Sequence, residues 1–237
     1  MKVYPQQKIK AEQFNFTGLA NRQATQAFQI QGEHEPDGGW KYLNGNMPIP
    51  SNGKIMKQNL TAIPSPNTIE SASPVPIQSF LGHIDPINFI PPDCHGTVGL
   101  NEVVTATNEF IIIHSKNGGA VLGKLTFSNF FNNSGMSDPY MQFDPYINRY
   151  WISGISTSTT NKVFIAVSQT SDPQGNWFRY SFTPASKDGA ILLDHPYLGF
   201  DNKLLVITGR KFPNAASFSG TMLFCFNKDS LAAGKAI

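Results

Sequence analysis

Charged side chains are scarce in this sequence of 237 residues: Asp, Glu, Lys and Arg together make up 14%, against roughly 25% in an average domain. The net charge is only +2 and aromatic residues reach 12%, a combination that excludes a disordered chain. The sequence has no basic stripe, so nucleic acid is not an expected partner. It has no run of about 18 apolar residues, so a membrane-spanning helix is not predicted.

Cysteines and targeting signals are sparse as well. Cys94 and Cys225 form neither a CxxC pair nor a metal-ligand cluster, and two separate buried thiols are favoured over a disulfide. The N-terminus lacks the apolar core of a secretory signal. The sequence therefore fits either an intracellular protein or the trimmed form of an exported one.

Proline is abundant, but mainly in one region. Nine prolines lie between residues 45 and 92. Because proline lacks an amide donor and restricts the residue before it, this region cannot form a regular helix or sheet. Residues 1–92 are therefore predicted to be an extended arm or linker, with one weak helix near residues 18–28.

From residue 93 onward, short runs rich in β-branched and aromatic residues alternate with turn sequences. This pattern predicts antiparallel strands. The predicted strands are residues 103–107, 110–114, 120–127, 140–143, 150–155, 163–168, 177–182, 204–208 and 222–226. Such short and regularly spaced strands are typical of an all-β fold, either a sandwich or a β-propeller.

A repeat favours the propeller. An acidic residue and a proline precede a tyrosine and a Phe-Asp turn in residues 138–144 (DPYMQFD) and again in residues 194–201 (DHPYLGFD). A looser copy begins at Asp93. Four-stranded units at periods of about 40–50 residues are typical of propeller blades. Residues 93–237 are thus predicted to form about three blades, the last one truncated, of an incomplete propeller, so that the chain is a fragment.

Five segments carry recognisable motifs. Residues 91–101 (PPDCHGTVGLN) resemble a PPDxHGAVGPN opening, and residues 138–151 (DPYMQFDPYINRYW) resemble a DPxxxYDxxxNRW element. Residues 166–177 (AVSQTSDPQGNW) match an AVSQTxDPxGxW element. Residues 195–200 (HPYLGF) resemble a YPxLGF element with a shifted tyrosine, and residues 227–234 (NKDSLAAG) resemble a DKxxLxAG element. In this combination the chain resembles a family of secreted bacterial proteins that is common in Bacteroidetes and mostly uncharacterised.

The resemblance covers roughly residues 73–234. It implies a β-propeller from an exported multidomain protein that is longer than this chain. It therefore implies an extracellular or cell-surface location, and it favours a trimmed exported protein over an intracellular one. It implies no reaction, because the family has no established one.

The acids at the predicted starts of the inner strands are the candidate site residues: Asp93, Asp138 and Asp194. In a propeller they would converge at one mouth of the central channel, where carboxylates can bind Ca²⁺ or a polar ligand. With His95 and His195 beside them, a transition-metal site is a further hypothesis. Each Asp could instead cap a turn and satisfy backbone donors at the start of its strand.

The sequence has no credible catalytic set, so the leading hypothesis is a non-enzymatic binding or adhesion module for a carbohydrate or a protein surface. The rival hypothesis is a carbohydrate-active enzyme similar to glycoside hydrolases, with channel carboxylates as acid and base. No glutamate follows Glu109, so the second and third units could not supply a glutamic general acid. A third hypothesis is a structural subunit of a surface assembly, whose open sheet edges are completed by the remaining blades or by neighbouring subunits.

Overall fold

The computed structural model describes residues 8–25, 76–83, 91–156, 161–186, 189–213 and 217–237. The chain divides into two units, Met1–His34 with Phe80–Ile237, and Glu35–Ser79. Of the second unit only residues 76–79 are described, and all four are exposed. The proline-rich region predicted as an arm therefore lies mostly outside the described residues.

Three antiparallel sheets dominate the described residues, of which 52% are in strands and 12% in helices. The first sheet has the order β2 (His95–Val98), β3 (Glu102–Ala106), β4 (Phe110–Ser115) and β5 (Val121–Thr126). The middle sheet has the order β1 (Glu12–Asn15), β9 (Asn176–Phe182), β8 (Lys162–Ser168), β7 (Arg149–Ser156) and β6 (Met136–Asp144). The third sheet has the order β10 (Ala185–Ser186), β11 (Gly189–Phe200), β12 (Leu204–Pro213) and β13 (Thr221–Asn227).

The prediction of an all-β chain with antiparallel pairing is confirmed. Each of the nine strands predicted between residues 103 and 226 overlaps an observed strand, because each combines β-branched or aromatic residues with a turn sequence beside it. The sequence did not predict β2 and much of β11. The glycine in β2 and the proline in β11 weaken the strand signal at those places.

In the described residues, three short helices each follow a strand directly: α1 (Phe16–Ala24), α2 (Phe127–Phe131) and α3 (Lys228–Ala232). Each begins after a residue whose side chain accepts a hydrogen bond from the amide three positions later; these residues are Asn15, Thr126 and Asn227. The weak helix predicted near residues 18–28 corresponds to α1. Within the described ranges, no helix has the length and apolar character needed to cross a membrane.

The N-terminal segment joins the middle sheet. β1 pairs antiparallel with β9, with Phe14 opposite Trp177. Phe16, at the start of α1, is fully buried in the core. Residues 12–24 of the predicted arm therefore form a strand and a helix that extend the edge of the middle sheet.

The middle sheet is buried on both faces. Tyr150 and Ile152 of β7 pack in a core that includes residues of the first sheet. Trp151 and Ile155 of the same strand pack in a second core that includes residues of the third sheet. Because successive side chains of a strand point to opposite faces, a sheet between two others needs apolar residues at nearly every position. The sequence YWISGI of β7 meets this requirement.

Strands β2, β6 and β11 of the three sheets lie side by side and are joined by side-chain hydrogen bonds; we call them the inner strands. Thr97 Oγ1 of β2 accepts a hydrogen bond from the Phe143 amide of β6 at 2.8 Å. On the other side of β6, Asp138 Oδ2 accepts one from the His195 amide of β11 at 2.9 Å. β6 therefore lies between β2 and β11, and its first half meets the middle of β11.

Both cysteines are free and exposed. The prediction that no disulfide joins Cys94 and Cys225 is confirmed, but the prediction that the thiols are buried is wrong. Cys94 immediately precedes the edge strand β2, and Cys225 points away from the core on the edge strand β13. Edge positions leave the thiols exposed although cysteine is usually a buried residue.

A buried ion pair fixes α3 to the middle sheet. Asp144 Oδ2 accepts hydrogen bonds from Lys228 Nζ at 2.8 Å and from Trp151 Nε1 at 3.2 Å, and the two charged side chains are 0% and 1% exposed. Asp144 Oδ1 accepts a hydrogen bond from the Tyr146 amide at 2.9 Å. The Lys228 ammonium also lies over the rings of Tyr146 and Phe200, at 4.9 and 5.1 Å from their centroids. Both charges are thus well satisfied, as a buried pair requires.

We expect Lys228→Met to lower the free energy of unfolding by about 3 kcal/mol, because the Asp144 carboxylate would stay buried without its counter-charge. Urea unfolding followed by tryptophan fluorescence measures the change. Lys203→Met, at an exposed lysine, is the control and should change the free energy by less than about 0.5 kcal/mol. A loss below about 1 kcal/mol for Lys228→Met would contradict the assigned role of the ion pair.

Candidate functional site

Three polar side chains converge where the inner strands lie together: Asp93, Asp138 and His195. A carboxylate oxygen from each aspartate and a ring nitrogen of the histidine all lie within 4.8 Å of one another. The Asp138 side chain is 6% exposed, whereas that of His195 is 34% exposed. The group therefore has a buried side at Asp138 and an accessible side at His195.

The three residues share an unusual backbone conformation. Asp93, Asp138 and His195 have φ angles of +42°, +53° and +49°, in the left-handed region that Asp and His tolerate better than most residues. The register of strand pairing shifts between residues 137 and 140 of β6 and between residues 194 and 197 of β11. Each shift is a β-bulge, an inserted residue that redirects a side chain. The bulges bring Asp138 and His195 towards the same point.

Asp194 does not join this group. Its Oδ2 lies 2.7 Å from Arg210 Nη2, in an ion pair with the residue opposite it on β12. The expected convergence of three aspartates is therefore corrected to two aspartates and a histidine. The repeat contains the reason: DPY in residues 138–140 corresponds position by position to HPY in residues 195–197, so His195 is the residue equivalent to Asp138.

Asn108, a buried residue between β3 and β4, links two of the inner strands. Its Nδ2 donates hydrogen bonds to Asp93 Oδ2 at 2.8 Å and to the Pro91 carbonyl at 3.0 Å. Its Oδ1 accepts a hydrogen bond from the Asp138 amide at 2.8 Å, and its own amide donates to the Pro92 carbonyl at 3.0 Å. The sequence did not indicate a role for Asn108, because an asparagine between two strands normally indicates only a turn.

Aromatic rings lie beside the polar group. The His95 ring packs on Tyr140 with centroids 4.1 Å apart, and Tyr140 meets Tyr197 at 5.4 Å. Tyr197 also contacts the His195 ring at 5.0 Å and is 49% exposed. We call the polar group Asp93, Asp138 and His195, together with His95, Tyr140 and Tyr197, the inner-strand site. The sequence indicated both histidines as site residues but not the tyrosines, although each tyrosine follows the repeat's proline.

Crowding in the inner-strand site shifts the ionisation of its members. Burial, reinforced by the nearby Asp138, raises the pKa of Asp93 from 3.8 to about 6 against the opposing effect of the Asn108 hydrogen bond. Contact with the Asp138 carboxylate raises the pKa of His195 although burial opposes it. Burial, with a smaller effect of His195, lowers the pKa of His95. Asp93 therefore titrates much closer to neutrality than an ordinary carboxyl group.

Comparisons of the chain with protein-family models, with curated proteins and with solved structures found no match. The resemblance to a secreted bacterial family therefore stays a prediction. What the inner-strand site can do follows from its own side chains. Its carboxylates can accept hydrogen bonds or ligate a cation, its imidazoles can donate hydrogen bonds or ligate a metal, and its tyrosines offer ring faces.

We expect Asp93→Asn to gain stability relative to the wild type as the pH rises from about 4 to above 6. The Asp93 pKa is 3.8 in an ordinary setting and about 6 here, so in this window the folded chain binds more protons than the unfolded chain. The wild type therefore loses stability as the pH rises. Asparagine removes this ionisation and keeps an oxygen that can accept the Asn108 hydrogen bond.

Thermal unfolding midpoints at pH 4, 5, 6 and 7 test this expectation. The difference between Asp93→Asn and the wild type should grow by at least about 2 °C across the series. Asp229→Asn, which removes an exposed carboxylate in α3, is the control, and its difference from the wild type should change much less. A constant difference for Asp93→Asn would be the contrary result.

Proposed function

We propose that this chain is an extracellular or cell-surface binding module that recognises a carbohydrate at the inner-strand site without catalysing a reaction. The observation that carries the proposal is the half-exposed ring of Tyr197 beside the group formed by Asp93, Asp138 and His195. This pairing of an aromatic face with clustered hydrogen-bonding groups suits a ligand that has apolar and hydroxylated faces.

The polar groups favour a sugar over an extended protein surface. They lie within 4.8 Å of one another, a spacing that suits neighbouring hydroxyl groups on one sugar ring. Hydroxyl donors to a carboxylate make short, charge-assisted hydrogen bonds. A protein partner would instead require contacts spread over roughly 800 Å² of each surface.

A propeller architecture, which we infer from the order of the sheets, would support the same proposal. The three sheets follow one another along the chain, and their inner strands β2, β6 and β11 lie side by side, as in successive blades. Exposed apolar residues such as Val98 on β2 and Leu223 on β13 favour cover by further blades or by neighbouring subunits. We therefore infer an incomplete propeller, and a structural role in a surface assembly is compatible with it.

The spacing of the carboxylates disfavours an inverting glycoside hydrolase, although it is close to the roughly 5–5.5 Å of a retaining one. An inverting glycoside hydrolase separates its two carboxyl groups by about 6.5–9.5 Å to admit the attacking water. Oxygens of Asp93 and Asp138 lie within 4.8 Å of each other, and this distance leaves little room for such a water. Asp93, with a pKa of about 6, is the group best suited to donate a proton, so an enzymatic role would depend on it.

Binding to a panel of immobilised glycans tests the proposal. We expect the wild-type chain to bind at least one glycan, and Tyr197→Ala to bind it about five- to tenfold more weakly, because an aromatic contact contributes about 1 kcal/mol. Leu223→Ala changes a residue of β13 that is also exposed but is not part of the inner-strand site. This control should bind like the wild type.

Two results would contradict the proposal. One is a wild-type chain that binds no glycan on the panel, and the other is a Tyr197→Ala variant that binds like the wild type. A parallel assay measures the release of reducing ends from the bound glycan. Release that is lost in Asp93→Asn would favour the enzyme over the binding module.

A further inference from the structure

We propose that Asp93, Asp138 and His195 bind one divalent transition-metal ion, with Zn²⁺ favoured, and that this ion contributes to ligand binding at the inner-strand site. The two carboxylates and one imidazole ring supply three ligand atoms that lie within 4.8 Å of one another. The inference rests on the proposed function for its biological purpose, but the ion-binding step can be tested independently.

The Asp138 carboxylate, whose Oδ1 faces the imidazole of His195, is the main reason to expect a cation. Asp138 Oδ2 accepts a hydrogen bond from the His195 amide at 2.9 Å. Asp138 Oδ1 lies 3.9 Å from His195 Nδ1, which is too long for a hydrogen bond. When Asp93 is ionised, no described residue donates a hydrogen bond to Asp138 Oδ1. The Asp138 side chain is only 6% exposed, so water reaches this oxygen poorly, and an ion between Oδ1 and Nδ1 would give it a partner.

The charge balance also favours a cation. Asp93 and Asp138 are close enough for their carboxylates to repel each other, and this repulsion contributes to the raised pKa of Asp93. Within the described ranges, neither carboxylate forms an ion pair with a lysine or an arginine. The nearby Arg210 is engaged with Asp194. A divalent ion would neutralise two negative charges that otherwise face only the imidazole of His195.

The ligand types select the ion. Ca²⁺ takes six to eight oxygen ligands, so the imidazole of His195 makes calcium a poor match. Zn²⁺ readily takes mixed nitrogen and oxygen ligands and often keeps a fourth position open for water or another ligand. Its bonds of about 2.0–2.2 Å place ligand atoms about 3.3 Å apart, so small side-chain rotations would draw the three groups together.

Hydrogen bonds hold the carboxylates in an orientation that suits metal binding. Asn108 Nδ2 donates to Asp93 Oδ2, and the His195 amide donates to Asp138 Oδ2. One oxygen of each carboxylate is thus fixed by an amide, which leaves the other available to the ion. Such outer hydrogen bonds commonly orient metal-ligating carboxylates in proteins.

Isothermal titration of the EDTA-treated, dialysed full chain with ZnCl₂ at pH 7.5 tests the proposal. We expect one Zn²⁺ per chain, and at least tenfold weaker binding in Asp138→Asn and in His195→Gln. The control variants are Asp229→Asn, at an exposed aspartate of α3, and Cys94→Ser, at the exposed thiol next to Asp93. Both should bind Zn²⁺ like the wild type.

Several outcomes would overturn the inference: no Zn²⁺ bound by the wild type, unchanged affinity in both site variants, or lost affinity in Cys94→Ser. Circular dichroism checks that each variant is folded. If Asp138→Asn does not fold, His195→Gln, at a partly exposed side chain, decides the question. Titration with CaCl₂ in place of ZnCl₂ is the selectivity test, and tighter binding of Ca²⁺ would also overturn the assignment.

Glycan binding with and without EDTA separates this inference from the proposed function. Glycan binding that persists in EDTA, in a chain that binds no Zn²⁺, overturns the metal site and leaves the binding module standing. Stoichiometric Zn²⁺ binding without binding to any glycan supports the metal site and contradicts carbohydrate recognition. Glycan binding that is lost in EDTA and restored by Zn²⁺ supports both.

Discussion

The left-handed backbone at Asp93, Asp138 and His195 is the constraint on which the inner-strand site depends. A non-glycine residue in this conformation costs about 1–2 kcal/mol, so surrounding contacts must hold it in place. Asn108 supplies part of that support, because it hydrogen-bonds both to the carboxylate of Asp93 and to the amide of Asp138. Glycine would fit the same backbone without strain, but it would bring no ligating side chain to the point of convergence.

The rigidity of β6 explains how such a group can stay assembled. Its first half carries the bulge at Asp138, and its last residue, Asp144, belongs to the buried ion pair with Lys228. The neighbouring strand β7 is buried on both faces. A site on a strand held in this way is ordered before its ligand arrives, which reduces the entropy that binding must overcome.

The sequence predicted much of the fold from local signals, because antiparallel strands with tight turns leave a strong pattern. It also selected Asp93 and Asp138, which the repeat aligns, and His95 and His195, which lie beside the aligned aspartates. It misassigned the third position to Asp194, because the comparison matched residue type rather than distance from the proline. The roles of Asn108 and the pairing of β1 with β9 depend on contacts between distant segments, which leave no local pattern to read.

The partly buried carboxylates connect the ionisation of the inner-strand site with its proposed ligands. A proton on Asp93, a metal ion and a sugar hydroxyl can each provide a partner for Asp138 Oδ1. Since the pKa of Asp93 is about 6, the proton occupies this place below that pH and leaves it above. The proposed metal ion or sugar hydroxyl would take the place of this proton. The strained backbone keeps the two carboxylates together whether or not Asp93 is protonated. What changes with pH is therefore the partner of Asp138 Oδ1.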